Sequence, residues 1–355
     1  MDTWHALQQL ATTGGPSGYE SPVARLVTQM WQPYVDVIRT DALGNVIAHK
    51  QPTRSGGIPA PAVMLATHMD EIGLMVAQVE ENGFLRVVAM GGIDLRQICG
   101  KEVTVHGKTA VAGIVQAVPA PFRDDKEPDH IPTWPDLFID TGLSTEELRQ
   151  KVQVGDVVTF SPPCKRLHGD RVAGKSFDNR ACIVSSLVCL QRLARVSHAV
   201  HVHAVATVQE EVGLRGAITS TFSIAPQLAI AIDVGHGDTP GQPEHDTITL
   251  GKGPAISLGP NIHRGVRDRL IAVAKQEQIA WQNEILPGHS GTDAWAMQVS
   301  QAGVPTAVIS LPLRYMHSTV ECVDLADIAA IGRLLAHFLA DLEPEEVWRW
   351  ANVSV

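Results

Sequence analysis

The sequence predicts an α/β fold in which a mostly parallel sheet is flanked by helices and carries a small inserted all-β domain. Two observations support this prediction. After residue 178, strand-like apolar runs alternate with long helical segments, as in parallel sheets that are covered on both faces. Between about residues 72 and 160, short strands bounded by turn residues follow one another instead.

We therefore divide the chain into two domains. Residues 1–70 and 163–355 form the larger, catalytic domain, and residues 71–162 form a β-barrel-like insert. A length of 355 residues agrees with this division, because it is long for a single hydrophobic core.

The predicted elements follow in order along the chain. A helix covers residues 20–31, a short strand pair covers 41–47, and a strand then runs into His68. In the insert, the segment Glu80-Glu-Asn-Gly83 predicts a hairpin, since Asn-Gly accepts the positive φ of a tight turn. The insert continues with strands at 102–105, 111–118 and 156–160 and with a Pro-rich exposed loop at 119–135. After the insert we predict helices at 179–195, 266–279, 293–301 and 324–341 and strands at 201–209, 228–233 and 304–310.

Composition excludes several classes of partner. The net charge of -10 and the absence of a Lys/Arg block argue against nucleic acid. The apolar runs end well before the roughly 18 residues of a membrane span, and the N-terminus lacks the pattern of a signal peptide. Five cysteines without a Cys-x-x-Cys spacing indicate reduced thiols, so we expect a cytoplasmic protein.

Acidic and imidazole side chains follow several of the predicted strands. Open α/β sheets bind ligands at the rim where parallel strands end, so we expect these side chains to converge there. They are His68 and Asp70, Glu210 and Glu211, Asp233 and His317, together with Asp178 at the start of a helix.

This set suits a pair of divalent metal ions, which take imidazole nitrogen and carboxylate oxygen. Asp178 lies between the two halves of the sheet and is the best candidate for the carboxylate that bridges both ions. His68 and Asp233 would complete one site, and Glu211 and His317 the other. Because the set contains no thiol, we expect Zn or Co, with Mn as a further possibility.

Glu210 is left without a metal to bind and is therefore the predicted general base for a metal-activated water. Asp70 lies on the same strand face as His68, where it can accept a hydrogen bond from the imidazole N–H. Each residue also has a plain structural interpretation, since a single strand-end carboxylate is more often a solvated cap. His201 and His203 alternate on one strand face like ligands, but without a nearby carboxylate we interpret them as packing residues.

Several segments that surround these side chains occur in one order along the chain. They are Ala66-Thr-His-Met-Asp-Glu-Ile-Gly73, Ser176-Phe-Asp-Asn-Arg180, Val208-Gln-Glu-Glu-Val-Gly213, Ile232-Asp-Val-Gly235, Gly291-Thr-Asp-Ala294 and Arg314-Tyr-Met-His-Ser318. From about residue 10 to 340 the chain resembles the glutamyl and deblocking aminopeptidase family of dinuclear metallopeptidases, the tetrahedral aminopeptidases.

The resemblance implies a phosphorylase/hydrolase-like sheet domain, the same metal ligands and Glu210 as the base. It also implies a cis peptide between Asp178 and Asn179. The insert would mediate contacts in a homo-oligomer, a tetrahedral dodecamer built from dimers. For the substrate pocket we expect contributions from Gly291, Thr292, Asp293, Arg314 and Tyr315.

The predicted function is hydrolysis of N-terminal residues from peptide substrates by a water that bridges two metals. The enzymatic alternative is a dinuclear deacylase or amidohydrolase that acts on N-acyl amino acids. A catalytically silent shell subunit or binding module is the alternative from another class, and it would be expected to lose Glu210 or a ligand. Glycoside hydrolysis has less physical support, because activated water suits acyl attack better than carboxylate-pair chemistry.

Overall fold

The computed structural model describes residues 2–122 and 131–351. Its strands are β1 (Val37–Thr40), β2 (Val46–Lys50), β3 (Ala62–His68), β4 (Gly73–Val79), β5 (Phe84–Met90), β6 (Glu102–His106), β7 (Ala110–Ala117), β8 (Leu137–Asp140), β9 (Val157–Phe160), β10 (Lys165–Arg166), β11 (Arg171–Gly174), β12 (His201–Thr207), β13 (Leu228–His236), β14 (Ala255–Leu258), β15 (Gln282–Ile285), β16 (Thr306–Leu313) and β17 (Glu321–Asp324). Its α-helices are α1 (Thr3–Thr12), α2 (Ser21–Trp31), α3 (Thr145–Lys151), α4 (Phe177–Leu193), α5 (Arg215–Ile224), α6 (Arg264–Gln276), α7 (Ala294–Gln298), α8 (Leu325–Asp341) and α9 (Pro344–Ala351).

An eight-stranded sheet with the order β1-β2-β12-β3-β13-β16-β14-β15 forms the centre of the larger domain. Its middle strands β12, β3, β13 and β16 run parallel to one another. At the edges, β2 pairs antiparallel with β12, and β14 pairs antiparallel with β16. The predicted α/β fold with a central sheet between helices is confirmed.

Both faces of the middle strands of this sheet are buried, which explains why these strands are apolar at successive positions. On β3, Val63 and Leu65 pack into the core that includes residues of α1, α2, α4, α6 and α8. Met64 and Ala66 point to the opposite face and pack into the core that includes residues of α5 and α7. Each fully buried side chain of this size contributes about 1.5–3 kcal/mol of transfer free energy.

The strands of the insert close into an antiparallel barrel with the order β4-β5-β8-β7-β6-β9. Side chains alternate along β7, so that Val111 and Val115 are buried in the barrel core while Ile114 faces outward. The predicted hairpin between β4 and β5 is present, with Gly83 at φ 85° in its turn. These strands form a core separate from those of the larger domain.

The predicted strand pair at 41–47 is wrong in its position, because the strands are β1 and β2 and residues 41–45 form the turn between them. The carboxylate of Asp41 accepts hydrogen bonds from the backbone N–H groups of Leu43, Gly44 and Asn45, each at 3.0 Å. An aspartate that bonds to the following amides favours a turn over a strand.

The sequence patterns also did not predict α1, α3, α5 and α9 or the strands β8, β10, β11, β14, β15 and β17. The predicted exposed loop at 119–135 includes residues 123–130, which lie outside the described residues. Within the described ranges, no helix combines the length and the apolarity needed to cross a bilayer.

Candidate metal centre

The predicted ligands converge at the carboxyl edge of the central strands. His68 is the last residue of β3, and Glu210 and Glu211 follow β12. Asp233 lies in the second half of β13, and His317 follows β16. Since β3, β12, β13 and β16 are parallel, their carboxyl ends bring these residues to one side of the sheet.

His68, Asp178 and Asp233 form a first group of potential ligands. The Nε2 atom of His68 lies 3.0 Å from Oδ1 of Asp178 and 3.7 Å from Oδ1 of Asp233. All three side chains are buried, and their ligand atoms lie within 4.8 Å of one another. Imidazole and carboxylate donors at this spacing can coordinate one divalent cation.

Asp178, Glu211 and His317 form a second group of the same kind. The Nε2 atom of His317 lies 3.5 Å from Oδ2 of Asp178 and 3.4 Å from Oε2 of Glu211. Asp178 thus directs one oxygen toward His68 and the other toward His317. This is the arrangement expected of a carboxylate that is shared between two metal ions.

Glu210 belongs to neither group but lies beside the first, with its Oε2 atom 4.0 Å from Nε2 of His68. Burial raises the pKa of Glu210 to about 9, and the neighbouring charges of Asp293, Glu211 and Asp178 add to this effect. Burial and like charges both favour the protonated carboxyl, so the Glu210 carboxylate has a high affinity for a proton.

Asp70 is hydrogen-bonded to the backbone of the paired glutamates, a contact that the sequence did not indicate. Its carboxylate accepts hydrogen bonds from the backbone N–H groups of Glu210 at 3.0 Å and of Glu211 at 3.1 Å, and from the hydroxyl of Ser17 at 2.6 Å. The predicted contact with His68 is longer, with Oδ1 of Asp70 3.4 Å from Nδ1 of His68. Asp70 therefore orients the Glu210-Glu211 turn and also faces the imidazole.

The cluster contains more negative charge than its imidazoles can balance. Burial raises the pKa of Glu211 and of Asp233 well above the ordinary range, and in both cases repulsion from Asp178 contributes. Burial opposes the charged form of His68, but the neighbouring carboxylates of Asp178 and Asp70 raise the pKa of this imidazole well above its usual value. Divalent cations would relieve this repulsion, so the donor set fits them.

The nearest thiol does not join the donor set. Cys182 lies on α4 and donates its S–H to the backbone carbonyl oxygen of Asp233 at 3.3 Å. Burial raises the pKa of the Cys182 thiol well above its usual value, which favours the protonated form. The groups that can hold metal ions therefore offer nitrogen and oxygen, as the sequence predicted.

Asp178 is held in place through its backbone. Its N–H donates a hydrogen bond to Oε2 of Glu321 on β17 at 3.1 Å, and the Asp178–Asn179 peptide is cis, as the resemblance implied. Two residues earlier, Ser176 has a φ of 58°, a region that few residues other than glycine adopt. Glu321 was missed by the sequence analysis, because β17 was not predicted and the burial of this residue is known only from the fold.

Glu71 is a second buried acid that the sequence analysis missed. It accepts hydrogen bonds from Nζ of Lys175 at 2.5 Å, from the hydroxyl of Ser176 and from the backbone N–H of Gly15 at 2.9 Å. These bonds tie the segment that leads into Asp178 to the start of the insert. The position of Glu71 directly after Asp70 could have identified it as a residue of the site, because both follow His68 closely.

The cluster opens into a cavity of about 690 Å³. Gly291 and Thr292, which the sequence analysis proposed for the substrate pocket, line this cavity, whereas Asp293 does not. Asp293 is buried and accepts a hydrogen bond from the hydroxyl of Thr207 at 2.6 Å. Burial raises the pKa of Asp293 to about 6.

Arg314 and Tyr315 do not line this cavity but a different one, beside β10 and β11. The guanidinium of Arg314 is engaged by Asp238, with Nη2 donating to the carboxylate at 2.7 Å and Nε donating to the backbone oxygen at 2.6 Å. Arg314 is therefore not directed toward the metal ligands. We propose substrate contacts for Gly291 and Thr292 only.

His201 and His203 also lie apart from the cluster. Both pack against His49 on the neighbouring strand β2, with the rings of His203 and His49 stacked at a centroid distance of 4.4 Å. Nε2 of His49 lies 3.1 Å from Nδ1 of His201, a hydrogen-bonding distance. This agrees with their interpretation as packing residues.

Comparisons with a family model, with curated proteins and with solved structures all find aminopeptidases. Residues 44–334 match the family model described as M42 glutamyl aminopeptidase. The chain is 35% identical to the lysyl aminopeptidase of Pyrococcus furiosus over 97% of its own length and 99% of that protein.

Among solved structures, an aminopeptidase from the archaeon Desulfurococcus kamchatkensis superposes with a TM-score of 0.92 at 35% identity, covering 99% of this chain and 98% of that one. The TET1 peptidase of Pyrococcus horikoshii, which can assemble into a tetrahedron or a large octahedral shell, superposes with a TM-score of 0.84 at 29% identity. That superposition covers 96% of this chain and all of the other.

Proposed function

The chain belongs to the M42 glutamyl aminopeptidase family, and we propose that it removes N-terminal residues from peptides with the help of two divalent metal ions. One observation carries this proposal. Two groups of potential ligands share Asp178, and an additional carboxylate, Glu210, lies beside them in the same cavity.

In this proposal, His68 and Asp233 would hold one ion, Glu211 and His317 would hold the other, and both ligand groups would share Asp178. Two divalent cations bound there would supply Lewis acidity and lower the pKa of the attacking water. The nitrogen and oxygen donors favour Zn, Co or Mn over softer ions. The excess of carboxylates over imidazoles supports this assignment, since two imidazoles cannot balance the repulsion that helps to raise the pKa values of Glu211 and Asp233.

Glu210 acts as the general base and then as the general acid. Positive charge at the neighbouring sites favours its carboxylate form despite the burial that raises its pKa. The carboxylate takes a proton from water as the water oxygen attacks the scissile carbonyl carbon. As the C–N bond breaks, Glu210 delivers this proton to the leaving amine, so that one water is consumed for each residue released.

A free N-terminus is required because the cavity presents carboxylates to the substrate. The ammonium group of an unblocked peptide can pair with this negative charge, whereas an acylated nitrogen carries no charge. Gly291 and Thr292 line the cavity beside the cluster and would contact the first residue of the substrate. The chemistry thus predicts sequential release from one chain end.

The test uses a short peptide in unblocked and N-acetylated forms, both amidated at the C-terminus, with metal-loaded protein. We expect free amino acids to appear one after another from the unblocked peptide and none from the acetylated one. Mass spectrometry of the time course measures this. Removal of the acetyl group with the peptide left intact would establish the deacylase instead and overturn the aminopeptidase proposal.

We also propose that the chain forms a homo-oligomer through its barrel, in the form of a tetrahedral dodecamer built from dimers. The related TET1 peptidase from Pyrococcus horikoshii can assemble into a tetrahedron or a large octahedral shell. The barrel exposes apolar side chains, among them Val88 at 44%, Ile114 at 45% and Val154 at 63%. Large apolar side chains that are exposed on one domain are candidates for a contact between subunits.

Charge on the barrel surface is expected to reduce particle size. Val88→Glu combined with Ile114→Glu places two carboxylates where the proposed contacts are apolar, and burying unpaired charge is costly. Analytical ultracentrifugation should then show smaller species that keep their bound metal. As a control, Val196→Glu changes a residue of similar exposure, 46%, on the larger domain and should leave the particle intact. An unchanged size for the barrel variant would contradict the assembly role.

A cytoplasmic location fits the cysteines. All five are free thiols, and none of them is paired in a disulfide. Reduced cysteines are typical of proteins in the cytoplasm. We therefore keep this location as part of the proposal.

A further inference from the structure

Glu284 is a carboxylate in the candidate cavity that the proposed mechanism does not use. It lies on β15, the strand at the edge of the central sheet, and its side chain is half-buried. It lines the same cavity as His68, Asp233 and His317. Its chemistry therefore bears on what the cavity can bind.

The orientation of this carboxylate is fixed from one side. Its Oε2 atom accepts hydrogen bonds from the hydroxyl of Ser257 on β14 at 2.8 Å and from the hydroxyl of Ser310 on β16 at 2.5 Å. Both serines are buried, at 0% and 2% exposure. Two buried donors on adjacent strands hold the side chain in one position and leave Oε1 as the free oxygen.

Gly235 makes room for that free oxygen. A Cβ atom at Gly235 would lie 2.6 Å from Oε1 of Glu284, which is closer than side-chain contacts allow. Gly235 is two residues beyond Asp233 on β13, a separation of about 6.7 Å along a strand. Oε1 therefore lies beside Gly235, and Gly235 is one such step from Asp233, a separation that a long side chain can span.

No cationic side chain balances Glu284. Among the described residues that line the cavity there is neither a lysine nor an arginine, and over the same part of the chain Glu284 takes part in no ion pair. Besides Glu284 and the residues of the candidate metal centre, the titratable side chains that line the cavity are the imidazoles of His236 and His289. A carboxylate held in a cavity without a cation is available to a cation on the ligand.

We propose that Glu284 selects peptides whose N-terminal residue is lysine or arginine. This inference rests on the proposed aminopeptidase function, which places the scissile bond at the metal ligands. The four-carbon stem of lysine, or the longer arginine side chain, would extend along β13 over Gly235, and its charged end would donate to Oε1 of Glu284. An N-terminal glutamate would meet a like charge there and bind poorly.

Lysyl and norleucyl amides provide the sharpest comparison, because norleucine keeps the four-carbon stem and lacks the ammonium group. We expect kcat/KM to be about 10- to 100-fold higher for the lysyl substrate with the wild-type protein. In Glu284→Gln this ratio should fall to near one, and in Ser257→Ala it should fall partway, because one of the two orienting bonds is lost. Glu345→Gln removes the same charge from an exposed position on α9 and should keep the wild-type ratio.

Calorimetric binding of free L-lysine and L-norleucine to the metal-loaded proteins provides a readout that does not depend on turnover. Lysine should bind more tightly to the wild type, and this difference should disappear in Glu284→Gln. Equal use and equal binding of the two residues by the wild type would overturn the inference while leaving the aminopeptidase proposal intact. A ratio that is unchanged in Glu284→Gln would also overturn it, since Glu284 would then contact a group that all substrates share, such as the α-amine. If no aminoacyl substrate is cleaved, the proposed function fails, and the calorimetric comparison alone decides the role of Glu284.

Discussion

Glu210→Gln is expected to lower kcat by about 10²- to 10⁴-fold while both metal ions stay bound. Glutamine keeps the shape of the side chain but cannot take a proton from water at neutral pH. The backbone hydrogen bond from residue 210 to Asp70 does not depend on the side chain, so the turn should keep its geometry. The measurement combines steady-state kinetics with metal content per subunit by mass spectrometry.

Glu211→Gln is the matched control, because it makes the same change at the adjacent residue, whose N–H also bonds to Asp70. Glu211 lies 3.4 Å from His317 in the second ligand group, so this variant should lose metal as well as activity. Near-wild-type turnover in Glu210→Gln would show that another group moves the proton. Loss of metal from Glu210→Gln would instead show that Glu210 is a metal ligand.

Asp178→Asn is expected to lose both metal ions and to fall below detectable turnover. Asp178 is the side chain that the two ligand groups share, and an amide offers neither the negative charge nor two equivalent oxygens. Each remaining group keeps only two ligands, fewer than divalent ions of this kind require. Metal analysis after dialysis, followed by the peptide assay, measures the loss.

Thermal unfolding gives an independent measure of the same event. Ligands that bind only the native state stabilise it, by about 4 kcal/mol at a free concentration near 1,000 times Kd. The wild type stripped with a chelator should thus regain its Tm and its activity when Zn, Co or Mn is added, whereas Asp178→Asn should gain neither. Asp246→Asn, at an exposed acidic position, should behave like the wild type. Full metal content in Asp178→Asn would refute the bridging role.

The sequence by itself was sufficient to predict that the proposed ligands lie close together. Five of these residues follow or end apolar runs, namely His68, Glu210, Glu211, Asp233 and His317. The carboxyl ends of parallel strands share one edge of the sheet. Because of this rule, residues that are distant in sequence but follow parallel strands lie close together in the fold. The alternation of strands with long helices likewise predicted the sheet and its covered faces, because local periodicity reports which side chains are buried.

The placement of the supporting residues was decided by the tertiary structure. Glu321 reaches the N–H of Asp178, and Glu284 reaches the cavity, only because β17 and β15 take positions that no local pattern encodes. Conversely, Arg314 is close in sequence to His317, yet its ion pair with Asp238 directs it to another cavity. Strand order and ion pairing depend on contacts between segments that are distant in sequence. The free energies of these contacts depend on how the whole domain packs. Sequence periodicity shows which face of a strand is buried, but it does not show which neighbour lies beside that strand.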